Sequence, residues 1–375
     1  MAKPLRILTV VGARPQFIKA AALGRALAGP FAGRIIETLL HTGQHFDADM
    51  SDVFFQELGI RPPAVLLPSD PVQASHMGRM MAGIERTIGQ DRPDLVLVYG
   101  DTNSTLAGAM AATRMGVPVA HVEAGLRSFD NAMPEEENRV MADHASTWLF
   151  CPTATAVTNL EREGMSDDPV RSATRRHPRI ALVGDVMFDN TLHYAAIAGG
   201  RGVLHDLGLE GRAFAVATVH RASTADDAEK LGAVFAAFSS IHAATGVEVI
   251  VPVHPRTART LAALKGNPWN GVRTIAPLGY LDLLALVDAS KAVLTDSGGL
   301  QKEACFLGKP CVILRDNTEW LELLGKGGSV LAGTDTERIV TAALQMLLAD
   351  QAPLPDAFGD GHAAEHICEV LLRTA

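Results

Sequence analysis

The chain has 375 residues, of which 47% are hydrophobic and 20% are charged, and this length predicts two domains because it exceeds what one hydrophobic core usually supports. The net charge of −9 argues against a nucleic-acid surface, since phosphate backbones are bound by clustered cations. No segment approaches the ~20 apolar residues of a membrane-spanning helix, and the four cysteines show no pairing pattern, which favours reduced thiols in the cytoplasm.

The first predicted strand, residues 6–11, leads through Gly12-Ala13-Arg14-Pro15 into a helix that reaches residue 27. A strand, a glycine turn and a helix start form a site suited to phosphates. The turn lacks the GxGxxG pattern, which weakens a dinucleotide interpretation. Arg14 and Lys19 suit a phosphate or diphosphate, although a solvated helix face is the alternative. A second strand, residues 35–40, ends in polar residues that include Gln44.

Residues 94–122 predict a strand that ends at Gly100-Asp101, a helix near residues 103–115, and a second strand that ends at Glu123. This βαβ unit has parallel strands, so Asp101 and Glu123 lie at the edge where such sheets bind ligands. Residues 135–137 are three further glutamates, one loop away. The converging carboxylates are candidates for acid–base chemistry. The alternative is that they form turns and favour a helix start.

A run of Ser, Asp, Pro and Arg in residues 165–178 predicts the domain boundary, with domains at residues 1–175 and 176–359. A strand at residues 179–183 is expected to open the second domain. Each later strand delivers polar or cationic residues at its carboxyl end, which predicts a second ligand-binding edge. These strand ends are His220-Arg221, His254-Pro255-Arg256, Asp296-Ser297 and Arg315-Asp316.

Ser297-Gly298-Gly299 opens a predicted helix whose free N–H groups form an anion cradle. Glu303, further along this helix, can accept hydrogen bonds from ribose hydroxyls, or it is a surface glutamate. His220, beside Arg221 at a strand end, is a candidate functional histidine. A terminal amphipathic helix at residues 363–374 must dock elsewhere on the protein.

Strands and helices alternate in both halves, so the predicted fold class is α/β, with two doubly wound Rossmann-like domains. An ordered series of motifs also runs through nearly the whole chain and resembles the non-hydrolysing UDP-N-acetylglucosamine 2-epimerase family. The motifs are GARPQFIK, TGQH, GDTNSTLAGA, HVEAGLRS, MPEEENR, HR, VHPRT and TDSGGLQKEA. The resemblance implies GT-B-like domains facing a cleft, with the C-terminal helix (residues 360–375) docking on the first domain. It also implies a cytoplasmic homodimer in polysaccharide biosynthesis, without a cofactor or metal.

The resemblance assigns roles residue by residue. The matches to the family's catalytic residues are Asp101, Glu123, Glu135 and His220. Arg14, Ser297 and Glu303 match the family's UDP-binding positions. Five further residues are expected to bind the UDP-sugar, namely Lys19, Arg139, Arg221, Gly298 and Gly299. Gln44 and His254 match positions that contact a regulatory second UDP-sugar in some members. Asp47 stands where several members have glutamine, and Leu283 stands where some have phenylalanine, so effector control and base stacking differ from those members.

The implied reaction inverts C2 of a UDP-2-acetamido sugar, UDP-N-acetylglucosamine to UDP-N-acetylmannosamine, by eliminating UDP and adding it back to a 2-acetamidoglucal. Thr318-Glu319-Trp320 and the GDTNST motif favour a branch that acts on UDP-2,3-diacetamido-2,3-dideoxyglucuronic acid. A GT-B glycosyltransferase is the main alternative, since fold does not determine function. The carboxylates and His220 favour the epimerase, because sugar transfer does not deprotonate carbon. A non-catalytic sensor and a hydrolysing epimerase remain further alternatives.

Overall fold

The computed structural model describes residues 3–44, 55, 57–68, 73–130, 133–264, 269–325, 328–348 and 356–375. The chain divides into two compact units. The first comprises Met1–Asn190 and Asp356–Ala375, and the second comprises Thr191–Pro355. Both are layered α/β structures with parallel sheets, so the predicted fold class is confirmed.

The strands among these residues are short and apolar, as expected for strands covered on both faces. They are β1 (Leu5–Val11), β2 (Ile35–His41), β3 (Val65–Leu66), β4 (Leu95–Tyr99), β5 (Val119–Val122), β6 (Trp148–Cys151), β7 (Arg179–Leu182), β8 (Phe214–Thr218), β9 (Glu248–Pro252), β10 (Val272–Ile275), β11 (Val293–Thr295), β12 (Cys311–Ile313) and β13 (Ser329–Leu331).

The helices follow the strands in regular alternation. They are α1 (Arg14–Ala28), α2 (Gln73–Asp91), α3 (Asn103–Arg114), α4 (Pro134–Ala145), α5 (Ala154–Arg162), α6 (Val186–Ala198), α7 (Val203–Asp206), α8 (Ala222–Ala225), α9 (Ala228–Thr245), α10 (Pro255–Ala263), α11 (Tyr280–Ala289), α12 (Gly298–Phe306), α13 (Thr336–Leu348) and α14 (Ala363–Thr374). In the part of the chain described, no helix is both long enough and apolar enough to cross a membrane.

The central strands of the two sheets are arranged in the same order. The first runs β3-β2-β1-β4-β5-β6-β7, and the second runs β10-β9-β8-β11-β12-β13. All these strands are parallel, but the direction in which successive strands are added to each sheet reverses once. The reversal lies between β1 and β4 in the first sheet and between β8 and β11 in the second. Ligands of such folds bind at the carboxyl ends of the strands at this switch point. The loops after these four strands are therefore the expected functional positions.

The position of β7 corrects the predicted domain boundary. This strand pairs with β6 in the first sheet, and the first unit continues to Asn190 instead of ending at residue 175. The division falls inside α6, and the chain returns to the first unit at Asp356. The polar run in residues 165–178 thus connects two strands of one sheet. The predicted boundary was wrong because a surface loop and a domain linker are equally polar.

The last helix, α14, belongs to the first unit and packs on α1. Its start is held by Asp189, whose carboxylate accepts hydrogen bonds from the backbone N–H groups of Ala363 and Ala364 at 3.0 and 2.8 Å. At its end, Trp148 Nε1 donates to Thr374 Oγ1 at 2.8 Å. The apolar face of α14 is buried between these two anchors.

Candidate active site

The loops after β1, β2 and β4 lie at one edge of the first sheet, where side-chain hydrogen bonds connect them. Buried Gln16 joins two of them, because its Oε1 accepts from Gly12 N at 2.8 Å and its Nε2 donates to Tyr99 O at 3.0 Å. Thr42 Oγ1 and Ser104 Oγ lie 2.7 Å apart. A Cβ at Gly12 would lie 2.0 Å from Thr42 Oγ1, so only glycine permits this approach. Arg14, half-buried, begins α1 directly beside this edge.

Glu123 forms a buried ion pair with Lys19. Lys19 Nζ lies 2.5 Å from Glu123 Oε1, and both residues are only 8% exposed. Lys19 was predicted to bind the substrate, and the structure places it against a predicted catalytic carboxylate. Glu123 also has φ of 73°, a left-handed conformation that costs a non-glycine residue roughly 1–3 kcal/mol and is often retained at functional sites.

Asp101 is paired with Arg139, whose guanidinium Nη2 donates to the Asp101 carboxylate. The other terminal nitrogen, Arg139 Nη1, donates to Glu136 Oε2 at 2.5 Å. Asp101 keeps part of its side chain exposed, whereas Arg139 is buried. The structure therefore brings the predicted residues Asp101 and Arg139 together and adds Glu136 to them.

Glu136, rather than Glu135, is the glutamate buried at the start of α4. Its carboxylate accepts from Ser128 N at 2.9 Å and from Phe129 N at 3.0 Å. Burial raises the pKa of Glu136, but the hydrogen bonds from Ser128 and the charge of Arg139 outweigh it, so the pKa lies below its ordinary value. Glu135 is exposed. The three-residue spacing of Glu136 and Arg139 was the signal available in the sequence.

Gln44, the candidate regulatory residue, is engaged with the first residues of α3. Its Oε1 accepts from Ser104 N at 3.0 Å and from Ser104 Oγ at 2.6 Å. Thr102 is the N-cap of this helix and accepts from Thr105 N. Gln44 thus stabilises the loop that follows Asp101. Asp47 lies outside the described residues.

In the second unit, a buried aspartate organises the loop after β8. Asp296 Oδ2 accepts from His220 N at 2.9 Å and from Arg221 N at 2.8 Å. Its Oδ1 lies 3.3 Å from His220 Nδ1, and the His220 side chain is 43% exposed. Asp296 was noted only as the residue before Ser297, and the structure shows that it holds the backbone of the predicted histidine.

His254 lies near His220, with ring centroids 6.3 Å apart. It is exposed, and its Nδ1 accepts from Arg256 N at 3.2 Å at the start of α10. His254 therefore also has a local structural role as a helix cap.

The start of α12 is formed as predicted, with Ser297 as its N-cap and its Oγ accepting from Leu300 N at 3.4 Å. A Cβ at Gly298 would lie 2.6 Å from Glu319 Oε1. Glu319 also pairs with Arg315, whose Nη2 is 3.0 Å from Glu319 Oε2. Burial raises the pKa of Glu319, but the charges of Arg315 and Arg221 outweigh it and lower the pKa. The sequence did not show that Gly298 makes room for a carboxylate.

Glu303 is buried, not a surface glutamate. It lies close to the Tyr280 hydroxyl, whose pKa is raised first by burial and then by the charge of Glu303. Tyr280 also packs edge-on against Tyr194, with ring centroids 5.8 Å apart. Glu303 is therefore held in a defined position beside the anion cradle of α12.

Comparisons with known proteins show the family of this chain. The family model described as UDP-N-acetylglucosamine 2-epimerase matches residues 32–372. The UDP-2,3-diacetamido-2,3-dideoxy-D-glucuronate 2-epimerase of Pseudomonas aeruginosa is 44% identical over 98% of this chain and 100% of that protein. A UDP-N-acetylglucosamine 2-epimerase of Methanococcus maripaludis is 36% identical over 98% of both.

The crystal structure of Methanocaldococcus jannaschii UDP-GlcNAc 2-epimerase in complex with UDP-GlcNAc and UDP matches with a TM-score of 0.85. It is 36% identical and covers 99% of this chain and 100% of that chain. This likeness confirms the predicted GT-B-like class. The chain belongs to the UDP-N-acetylglucosamine 2-epimerase family.

Proposed function

We propose that this chain inverts C2 of a UDP-2-acetamido sugar without hydrolysing it, and that UDP-N-acetylglucosamine and UDP-N-acetylmannosamine are its substrate and product. The observation that carries the proposal is a pair of carboxylates at one sheet edge, each matched with a buried cation: Asp101 with Arg139, and Glu123 with Lys19. Family membership supports the same reaction.

The chemistry of C2 explains why carboxylates are needed. No carbonyl adjoins C2, so its proton is not acidic enough for simple removal. In an elimination, the C1–O bond breaks, its electron pair leaves with the UDP oxygen, and a base takes the C2 proton. The product is a 2-acetamidoglucal with a C1–C2 double bond. UDP then adds back to C1 while C2 receives a proton on the opposite face. This scheme requires an acid or base for each face of C2.

We assign the proton transfers to the first unit, with Asp101, Glu123 and Glu135 as the candidate groups. Lys19 and Arg139 orient Glu123 and Asp101. Lys19 also compensates the charge of Glu123, which would otherwise be costly in a buried position. Arg14 lies at the same edge and suits the departing diphosphate. Glu135 is exposed at the start of α4, whereas Glu136 is buried and accepts hydrogen bonds from residues 128 and 129.

We assign UDP binding to the second unit. The N-terminus of α12, with Ser297, Gly298 and Gly299, suits a diphosphate, and Arg221 adds a positive charge. Buried Glu303 is in place to accept hydrogen bonds from ribose hydroxyls. His220, held by Asp296, is proposed to stabilise the leaving diphosphate.

The substrate has a second candidate, UDP-2,3-diacetamido-2,3-dideoxyglucuronic acid. The Pseudomonas aeruginosa enzyme named for that sugar is 44% identical to this chain, compared with 36% for the Methanococcus maripaludis UDP-N-acetylglucosamine 2-epimerase. The chemistry at C2 is the same for both sugars, so the proposed residue roles do not change.

The deciding experiment is incubation of the enzyme with each UDP-sugar in D₂O, without an acceptor, followed by proton NMR of the products. We expect the C2 epimer with one solvent deuteron at C2. Retention of the original C2 hydrogen in the epimer would argue against solvent exchange and for a shielded transfer. Release of free sugar and UDP would indicate a hydrolysing enzyme. Binding without turnover would indicate a sensor. Reaction only after an acceptor is added would indicate a glycosyltransferase.

We also propose a cytoplasmic homodimer with a role in polysaccharide biosynthesis. All four cysteines are buried and unpaired with one another, which is compatible with a reducing compartment. Light scattering coupled to gel filtration tests the dimer, and a monomeric mass would exclude it.

A further inference from the structure

His121 lies behind the two proposed catalytic carboxylates, and no role has been assigned to it so far. It is fully buried in β5, two residues before Glu123. Its Nδ1 lies 2.7 Å from Asp143 Oδ1, and its Nε2 lies 2.7 Å from the carbonyl oxygen of Gly100. Both ring nitrogens therefore face an oxygen at hydrogen-bonding distance.

Both of these oxygens are acceptors. The Gly100 carbonyl has no hydrogen to give. Asp143 also accepts from Arg127 Nη1 at 2.8 Å and from Gly125 N at 3.1 Å. Burial raises the pKa of Asp143, but the hydrogen bond and charge of His121 and the charge of Arg127 outweigh it, so the pKa is lowered. A neutral imidazole would place a nitrogen lone pair against one of the two acceptors.

The charges of the surrounding cluster lead to the same protonation state. Arg127 pairs with Asp143 and, through its Nε at 2.6 Å, with Glu163. Glu163 is exposed and also lies 3.1 Å from His144 Nε2, whereas Asp143 is fully buried. A protonated His121 gives Asp143 a cation of its own. With a neutral His121, Asp143 would share the one charge of Arg127 with Glu163, which is costly for a buried carboxylate.

We propose that His121 is a buried imidazolium that fixes the Gly100 peptide and thereby positions Asp101 and Glu123. It contacts the turn that carries Asp101 and lies on the strand that leads to Glu123, so it is a positioning residue. The kinetic consequence rests on the proposed function, whereas the protonation state can be tested without it.

The turn is held at several points, and His121 supplies one of them. Gly100 N donates to Val122 O at 3.0 Å, and Asn138 Nδ2 donates to Asp101 O at 2.9 Å. The remaining carbonyl, Gly100 O, receives the His121 hydrogen bond. Glu123 has φ of 73°, and a non-glycine residue keeps such a conformation only where its surroundings enforce it.

The first test measures the ring nitrogens directly in the wild-type protein. Histidine labelled with ¹⁵N gives two-dimensional spectra that separate protonated from unprotonated ring nitrogens, at pH 7.5. We expect both His121 nitrogens to carry hydrogen. His41 is an internal control in the same unit, because its Nδ1 accepts from Gly43 N at 2.8 Å, which requires an unprotonated Nδ1. One lone-pair nitrogen on His121 would overturn the proposal.

The second test compares two amide substitutions that replace different halves of the ring. The amide nitrogen of His121→Gln can occupy the Nε2 position and keep the bond to Gly100 O. The amide nitrogen of His121→Asn can occupy the Nδ1 position, so this variant keeps only the bond to Asp143. We expect kcat of His121→Gln to stay within ~10-fold of wild type and that of His121→Asn to fall ~100-fold, the scale of a small misplacement of catalytic groups. The affinity for UDP, measured by calorimetry, should stay unchanged in both.

Equal losses in the two variants, or no loss in either, would show that His121 does not act through Gly100. If neither variant folds, the nitrogen spectra of the wild-type protein decide the protonation state. If the wild-type enzyme turns over no UDP-sugar, the proposed function fails, while the spectra still test His121.

Discussion

Lys19 Nζ lies 2.5 Å from Glu123 Oε1, although the two residues are 104 positions apart in the chain. Lys19 projects from the helix that follows β1 and Glu123 follows β5, so the pair joins two segments at the carboxyl edge of the first sheet. Both residues are buried. Breaking a buried ion pair by removing one partner leaves an uncompensated charge.

Lys19→Met is expected to lower the free energy of unfolding by about 3 kcal/mol, because Glu123 would remain buried without its cation. Lys19→Met with Glu123→Gln should recover part of that loss, since the uncompensated charge is gone. Urea denaturation of both variants and of Glu123→Gln alone measures the coupling. Additive effects would mean that the two side chains do not interact energetically.

Asp101→Asn and Glu135→Gln are expected to reduce kcat for epimerisation by at least ~100-fold while UDP still binds, because each removes a proposed proton-transfer group. Glu136→Gln is the matched control on the same helix. It removes a buried carboxylate that accepts from Ser128 and Phe129, so stability should fall. A stable Glu136→Gln protein, or a fully active Glu135→Gln enzyme, would reverse the roles assigned to these two glutamates.

Gly298→Asp is expected to abolish UDP binding, since it adds bulk and negative charge at the start of α12. Gly298→Ala should also weaken binding, because its Cβ would lie 2.6 Å from Glu319 Oε1 and displace that carboxylate. Gly299→Ala adds the same methyl group to the same helix start with its nearest neighbour at 3.9 Å, so it separates the displacement of Glu319 from added bulk at the proposed site. Calorimetric titration with UDP compares the three variants. Equal affinities for Gly298→Asp and wild type would refute a diphosphate site at this helix end.

Two glutamates of the first unit, half-buried Glu37 and buried Glu136, should respond to pH with opposite signs. Burial raises the pKa of Glu37 above 4.5, against the hydrogen bond from Thr9, so its contribution to stability is present at low pH and is lost as the pH rises above 4.5. Glu37→Gln should therefore gain stability relative to wild type between pH 4 and pH 8.

Glu136 is the comparison for Glu37. Its lowered pKa means that its contribution is present above pH 4.5 and is lost as the pH falls below that value. The deficit of Glu136→Gln relative to wild type should therefore be larger at pH 8 than at pH 4. Urea unfolding at both pH values measures the two differences, and differences of the same sign would contradict the assigned environments.

Substrate activation by a second UDP-sugar is expected to be weak or absent. Asp47 stands where a neutral amide is found in several members of the family, and a carboxylate near a diphosphate is repulsive. Gln44 is already engaged with Ser104. Initial rates should depend hyperbolically on substrate concentration. A sigmoidal dependence that trace UDP-N-acetylglucosamine relieves would disprove this expectation.

The alternation of apolar strands and helices, and the polar residues at the strand ends, were readable without coordinates. β4, α3 and β5 lie close to their predicted bounds, because apolar runs and cap residues are local properties of the sequence. The motif series likewise identified the family before any comparison. Placing Asp101 and Glu123 at one sheet edge required only the parallel βαβ connection.

Tertiary structure alone decided which side chains meet. Lys19 reaches Glu123 because β1 and β5 lie on either side of β4 in the sheet, and strand order is not a local property. β7 completes the first sheet because it pairs with β6, and the composition of a segment does not reveal which strand it pairs with. Glu136 rather than Glu135 turns inward because the helix start is fixed by its contacts with residues 128 and 129. Each of these outcomes depends on packing between segments far apart in sequence, where the free energy of burial and charge pairing outweighs local preference.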